Sequence, residues 1–171
     1  KGDRVAISMR NYPEWVMAFN AVTSIGAVAV AMNSLWLAEE MLFGLTDSGA
    51  KVLFADQERL ERFESIKGSI DIQVIAVRPT KALPAGIADL DDLMAAEDST
   101  ELPAVQIDAQ DLATILYTSG STGHPKGAVS CHKNIIHALM SWELEGKIAA
   151  LLSGVAPVQL PHQVATLLAV P

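Results

Sequence analysis

A single cysteine, Cys131, is the only thiol in the chain. An internal disulfide is therefore excluded, and a reducing compartment, the cytoplasm, is the simple expectation. Positive charge is sparse as well. The chain has 12 basic against 20 acidic residues, a net charge of −8, and its basic residues stand singly or in pairs. A duplex nucleic-acid binder carries a basic patch, so that class is set aside. No repeat and no low-complexity segment is present. The opening KGDRVAISMRN reads as a short strand and not as a leader, which needs a charged start, a short apolar run and a small-residue cleavage site. Residues 15–38 carry no charge and are long enough to span a bilayer. Asn20, Thr23, Ser24, Gly26, Asn33 and Ser34 interrupt that run, so it reads better as a helix followed by a buried strand.

The 171 residues that are there are half hydrophobic and 19% charged. That composition suits one ordered domain, which at this size buries roughly 70% of the surface of its unfolded chain. The chain opens at Lys1 without an initiator Met and stops at Pro171 inside an apolar run. The expectation is a single, incomplete domain over 1–171 cut from a longer protein.

Its first half alternates strand and helix. Val5–Met9 reads as a strand, Pro13 as a helix start where a missing amide hydrogen costs little, and Trp15, Ala18, Phe19 and Val22 recur at helical spacing. Ala27–Met32 reads as a buried strand. Glu39–Ser48 reads as a helix with Met41, Leu42 and Leu45 inward, closed by Gly49 in a left-handed cap. Lys51–Ala55 and Ile72–Val77 read as strands around a helix over 57–67. This rhythm implies an α/β fold, a mostly parallel sheet with helices on both faces. Residues 78–108, with three prolines and an acidic cluster from Asp89 to Glu101, read as a surface excursion carrying one short helix near 89–96. Leu112–Tyr117 then returns as a buried strand, Gly127–Ser130 as another, and a helix begins near Lys133. Gln163–Val170 reads as the start of a further strand.

Joining the strands Leu112–Tyr117 and Gly127–Ser130 is TSGSTGHPKG, residues 118–127. It combines Gly120, Gly123 and Gly127 with the hydroxyls of Thr118, Ser119, Ser121 and Thr122 and the cation of Lys126. Glycines let a backbone turn tightly against a ligand, and amides exposed in such turns form an anion-binding nest. The hydroxyls add donors without charge, and Pro125 stiffens the approach to the lysine. This is a donor set for a polyphosphate. It is not a Walker A loop, because Pro125 precedes the lysine, Gly127 follows it, and the next residues read as strand. Neither a G-x-S-x-G nucleophile elbow nor a G-x-G-x-x-G dinucleotide fingerprint occurs.

The eleven residues YTSGSTGHPKG, 117–127, match at every position the pattern [YF]-T-S-G-[ST]-T-G-x-P-K-G, and the chain resembles the adenylate-forming family on that ground: acyl- and aryl-CoA synthetases, luciferases and peptide-synthetase adenylation domains. GDRVAISMRNYPEWVMAFNAV and MNSLWLAEEMLFGLTDSGAKVLFAD resemble that family's opening strands and helices, and ILYTSGSTGHPKGAVSCHKNI its loop with flanks. The resemblance leaves out only about 78–108 and the tail. It implies part of the large N-terminal domain of such an enzyme. It also implies a two-step reaction in which a carboxylate attacks the α-phosphate of ATP, pyrophosphate leaves, and a thiol, usually that of coenzyme A, takes the acyl group. Thr118, Ser119, Gly120, Ser121, Thr122, Gly123 and Lys126 would hold the ATP phosphates, with Thr118 helping to hold Mg²⁺. The family's adenine-contacting Gly-x-Thr-Glu segment, its ribose-binding Asp and the lysine of its small C-terminal domain are not in this sequence, so no catalytic residue is assigned and the chain is expected to be inactive alone.

The flanks most resemble fatty-acyl-CoA synthetases, which makes a fatty acid the expected substrate. An adenylate former that loads a carrier-protein thiol, and a non-catalytic nucleotide-binding fragment, remain open beside it. Truncation is also expected to expose an apolar face and promote self-association. Among other residues, His132 and His137 are five apart, where a helical zinc pair needs four. His124 occupies the pattern's variable position. Cys131 reads as a small buried residue, Trp15, Trp36 and Trp142 as core or half-buried anchors, and Tyr117 as packing under the loop.

Overall fold

The computed structural model describes residues 1–118 and 125–154. Among these described residues, seven strands form one sheet in the order β5-β4-β3-β1-β2-β6-β7. The strands are β1 (Arg4–Ser8), β2 (Val28–Ala31), β3 (Val52–Asp56), β4 (Gln73–Val77), β5 (Ile87–Asp89), β6 (Leu112–Thr118) and β7 (Lys126–Cys131). All neighbouring pairs are parallel except β6 and β7, which form an antiparallel ladder. The helices are α1 (Pro13–Ser24), α2 (Ala38–Ser48), α3 (Gln57–Glu64), α4 (Leu90–Ala96) and α5 (His132–Ser153).

Side chains alternate across a strand, and helices cover both faces of this sheet. On one face Ala6, Val30, Leu53, Ala55, Val74 and Ala76 pack against Met41 and Leu45 of α2 and Leu60 and Phe63 of α3. On the other, Val5, Ile7, Ala29 and Val77 pack against Ala18 and Val22 of α1, with Leu90 of α4 at the margin. This is the parallel, helix-flanked architecture expected from the sequence. The uncharged run resolves into α1 and β2, and no helix among the described residues is long and apolar enough to cross a membrane.

Local signals set the helix ends. Pro13 occupies the first turn of α1. Gly49 closes α2 at φ 62°, ψ 40°, with its amide donating to the carbonyls of Leu45 and Thr46. A side chain there would be strained and would also meet the Arg4 guanidinium, whose Nε and Nη2 donate to the carbonyls of Ser48 and Gly49 at 2.9 and 3.1 Å. Arg4 thus places a cation on the negative end of α2. Asp56 ends β3 and caps α3 by accepting from the Arg59 amide, while its carboxylate pairs with the Arg59 guanidinium at 3.0 Å. Both side chains are at most 5% exposed. Arg59 and Arg62 each donate to the Ser34 carbonyl at 2.9 Å, so α3 ties down the connection from β2 to α2.

Several expectations need correction. The helix over 57–67 ends at Glu64 and is followed by a 3-10 turn at Lys67–Ser69. The segment 78–108 holds its expected helix as α4, but also β5, which extends the sheet beside β4 through the pairs Val74↔Ile87, Ile75↔Ala88 and Ala76↔Asp89. A three-residue strand is too short to show a periodicity of its own, so its neighbour decides it. β6 is not uniformly buried: Ala113 and Thr114 are, whereas Leu112 and Leu116 are about half exposed. Among the described residues, helix cover thins out at this end of the sheet. α5 has no buried residue among its 22, and Trp142 on it is 67% exposed. Cys131 is half-buried, at the cap of α5, with Sγ 3.0 Å from Asn134 Oδ1. The expected strand at Gln163–Val170 lies outside the described residues.

Candidate functional site

The antiparallel β6–β7 ladder places the ends of the Gly-rich run together. Its register pairs Ile115 with Val129, Leu116 with Ala128, Tyr117 with Gly127 and Thr118 with Lys126. The chain therefore leaves the sheet at Thr118 and re-enters it at Lys126, at directly opposed positions. Of the residues expected to hold phosphate, the structure brings Thr118 and Lys126 side by side at the mouth of this hairpin, both exposed. Ser119, Gly120, Ser121, Thr122 and Gly123 lie outside the described residues, as does His124.

Close packing beneath the mouth depends on Gly127. A Cβ there would fall 2.9 Å from Cγ2 of Ile115 and 3.4 Å from the Tyr117 ring. The motif's last glycine is thus explained by its cross-strand neighbours.

Tyr117 is half-buried and turned toward α2. Its hydroxyl donates to Oδ2 of Asp47 at 2.7 Å, with the Gly44 carbonyl at 3.2 Å as a second acceptor. Its ring meets Trp36 edge-on, with centroids 5.3 Å apart and planes at 65°, an arrangement favoured by the ring quadrupoles. Trp36 in turn lies against Gly44, where a Cβ would sit 2.6 Å from Cζ3 of the indole. Burial, and then the neighbouring Asp47 carboxylate, push the Tyr117 hydroxyl well above its ordinary value, so it remains a donor throughout the neutral range. Tyr117 packs against α2 and Trp36, while the loop it is expected to underlie falls outside the described residues. Its partners Asp47, Gly44 and Trp36 were missed, because nothing local in sequence connects residues 70 positions apart.

Chemically, the mouth offers one neutral hydroxyl oxygen and one ammonium group. That set suits a magnesium-bearing polyphosphate, since Mg²⁺ commonly takes few protein oxygens and completes its shell with phosphates and waters. Thr118 would supply such an oxygen and Lys126 a point charge toward phosphate. His132 and His137 both lie on α5, and no group of three His, Cys, Asp or Glu positioned to hold a metal occurs among the described residues.

Residues 1–166 match the family described as AMP-binding enzyme. Long-chain-fatty-acid–CoA ligase FadD13 of Mycobacterium tuberculosis is 37% identical over 150 residues, covering 83% of this chain and 27% of that protein. The 3-hydroxybenzoate–CoA/4-hydroxybenzoate–CoA ligase of Thauera aromatica is 34% identical over 139 residues, covering 81% of this chain and 26% of that one. Among solved structures, the anthranilate CoA ligase AuaEII in complex with anthranoyl-AMP superposes with a TM-score of 0.71 at 31% identity, over 77% of this chain and 25% of that one. The chain spans about a quarter of the length of these relatives.

Proposed function

The chain belongs to the AMP-binding enzyme family, and from that premise we propose that it supplies the pyrophosphate-holding hairpin of an ATP-dependent acid–CoA ligase. The observation that carries this reading is the opposition of Thr118 and Lys126 across the β6–β7 ladder. It gathers both ends of a Gly- and hydroxyl-rich run at one point. Ser119, Gly120, Ser121, Thr122 and Gly123 complete the proposed phosphate cradle, with Thr118 as an oxygen ligand for the Mg²⁺ that accompanies ATP.

In the reaction, a carboxylate oxygen forms a bond to the α-phosphorus as the bond to the bridging oxygen of pyrophosphate breaks. The acyl-adenylate then passes its acyl group to the coenzyme A thiol, releasing AMP. Negative charge grows on the departing pyrophosphate, and fixed donors aimed at it stabilise the transition state in particular. Lys126 contributes charge there and Thr118 contributes position. The chain alone, a quarter of its relatives' length, is proposed to be inactive.

The acid is proposed to be a fatty acid. The FadD13 likeness supports this, while the similar identity of an aryl-acid ligase keeps aromatic acids as the second reading. The lone cysteine supports a reducing cytoplasmic setting. The test is pyrophosphate release by the full-length enzyme with MgATP and a panel of fatty and aromatic acids. Release with fatty acids, followed by acyl-CoA formation on adding coenzyme A, is expected. Release with none of the acids would refute the adenylation reading. Transfer only to a carrier-protein thiol would replace the CoA ligase with the carrier-loading alternative.

A further inference from the structure

The last pair joining β6 to the parallel sheet is Ala31↔Leu116. Among the described residues, Tyr117 and Thr118 extend beyond it and pair only with β7, the last strand in the order of the described sheet. Two residues thus overhang the rigid part of the sheet immediately before the Gly-rich run begins. An overhang held only by its pairing with β7 would let the run's starting point swing.

One side chain of the overhang reaches back to the body of the domain. The Tyr117 hydroxyl bonds Asp47 on α2 at 2.7 Å, and its ring abuts the buried Trp36. Helix α2 is well anchored: Met41 and Leu45 are fully buried, and Arg4 holds the C-terminal carbonyls. Gly44 lets Trp36 approach the helix closely enough to form the wall on which the Tyr117 ring rests.

We propose that Tyr117 and Asp47 are a positioning pair, which pins the strand end preceding Thr118 to α2 and so fixes the point from which the phosphate-holding run departs. The proposal rests on the reading of residues 118–126 as that run. Neither residue needs to touch the nucleotide. Their effect reaches it through Thr118, the next residue along the strand. Rate and affinity at a phosphate site depend on placement to within about an ångström, so a pinned strand end matters where a free one would blur the site.

The test uses the full-length enzyme and steady-state pyrophosphate release. Tyr117→Phe keeps the ring on Trp36 and removes only the donor, whereas Asp47→Ala removes the acceptor. Each is expected to raise KM for MgATP about five-fold, the equivalent of one ordinary hydrogen bond. KM for the acid should not change. Asp47→Asn retains an acceptor oxygen and should recover most of the wild-type KM for MgATP. Unchanged KM for MgATP in both Tyr117→Phe and Asp47→Ala overturns the proposal. So does an equal disturbance of both substrates accompanied by a fall in Tm, which would mark a merely structural contact. Lys126→Ala separates the two levels. If it raises KM for MgATP while the pair's variants do not, the positioning proposal alone fails. If it too leaves that KM unchanged, the phosphate-holding reading fails and the positioning proposal with it.

Discussion

Thr118 and Lys126 form the final register pair of the β6–β7 ladder, with the threonine Oγ1 3.5 Å from the lysine carbonyl oxygen, at the outer limit of a hydrogen bond. Backbone pairing brings the two residues together, so changing the lysine side chain leaves the hairpin intact. Lys126→Ala is therefore expected to weaken MgATP binding about 10- to 100-fold, the range for losing a hydrogen bond to a charged group. Folding stability should stay within about 0.5 kcal/mol, as for most exposed positions. Titration calorimetry alongside urea unfolding checks both halves. An unchanged affinity would count against a phosphate role.

Gly44 sets two effects against each other. Alanine is favoured over glycine in a helix interior by about 1 kcal/mol. Its Cβ, however, would lie 2.6 Å from Cζ3 of Trp36 and 3.1 Å from Cε of Met32, and overpacking of this kind costs about 1–3 kcal/mol. Trp36 is a rigid ring, 7% exposed, with little room to yield. Packing should win. Gly44→Ala is expected to lower the urea midpoint, and a gain in stability would show that the indole can move aside.

Glu58 gives the acid response a specific origin. Arg10, Arg59 and Arg62 all pair with its carboxylate. Partial burial is the largest single influence and raises its pKa, but the three guanidinium groups together outweigh it and hold the group below its ordinary value. A carboxylate lowered on folding contributes stability that is fully present above its unfolded pKa and is lost as pH falls through its folded one. Glu58→Gln should therefore have a lower Tm than wild type at neutral pH. The gap should narrow as pH falls below about 4.3, the unfolded value. A gap that stays constant into acid would show that the carboxylate's charge is not its source. The side chain is 45% exposed, so solvent screening keeps the effect small.

Helix α5 displays Leu139, Met140, Trp142, Leu144, Leu151 and Leu152, all more than half exposed. An apolar surface of this kind favours association. The isolated chain is expected to self-associate in sedimentation velocity, and Leu144→Lys combined with Leu151→Lys should shift it toward monomer. A clean monomer at high concentration would refute the expectation.

Much of the fold follows from short-range physics. Pro13 at a helix start, Gly49 in a left-handed cap and apolar runs of strand length are signals that act within a few residues, and they placed α1, α2, β1, β2, β3, β4 and β6 to within a residue or two. The Gly-rich run stands out by its composition, and its phosphate role is a proposal. β5 was not legible, because three residues become a strand only when a neighbour supplies the ladder. Nor could burial on β6 and α5 be read. An apolar side chain looks the same in sequence whether or not something packs over it, and here Trp142 is exposed while Trp36 is buried.

The sequence by itself determined the α/β rhythm and the family to which the chain belongs, and it carries the Gly-rich run proposed to hold phosphate. The tertiary structure alone decided the partners of the strand end that precedes that run. Tyr117 belongs to the motif, but the carboxylate that receives its hydroxyl lies 70 residues earlier on α2, and the glycine that admits Trp36 beneath it carries no local mark. The reason is physical. A hydrogen bond between distant segments depends on where the sheet register and the helix packing bring their atoms, and neither is encoded at the site itself.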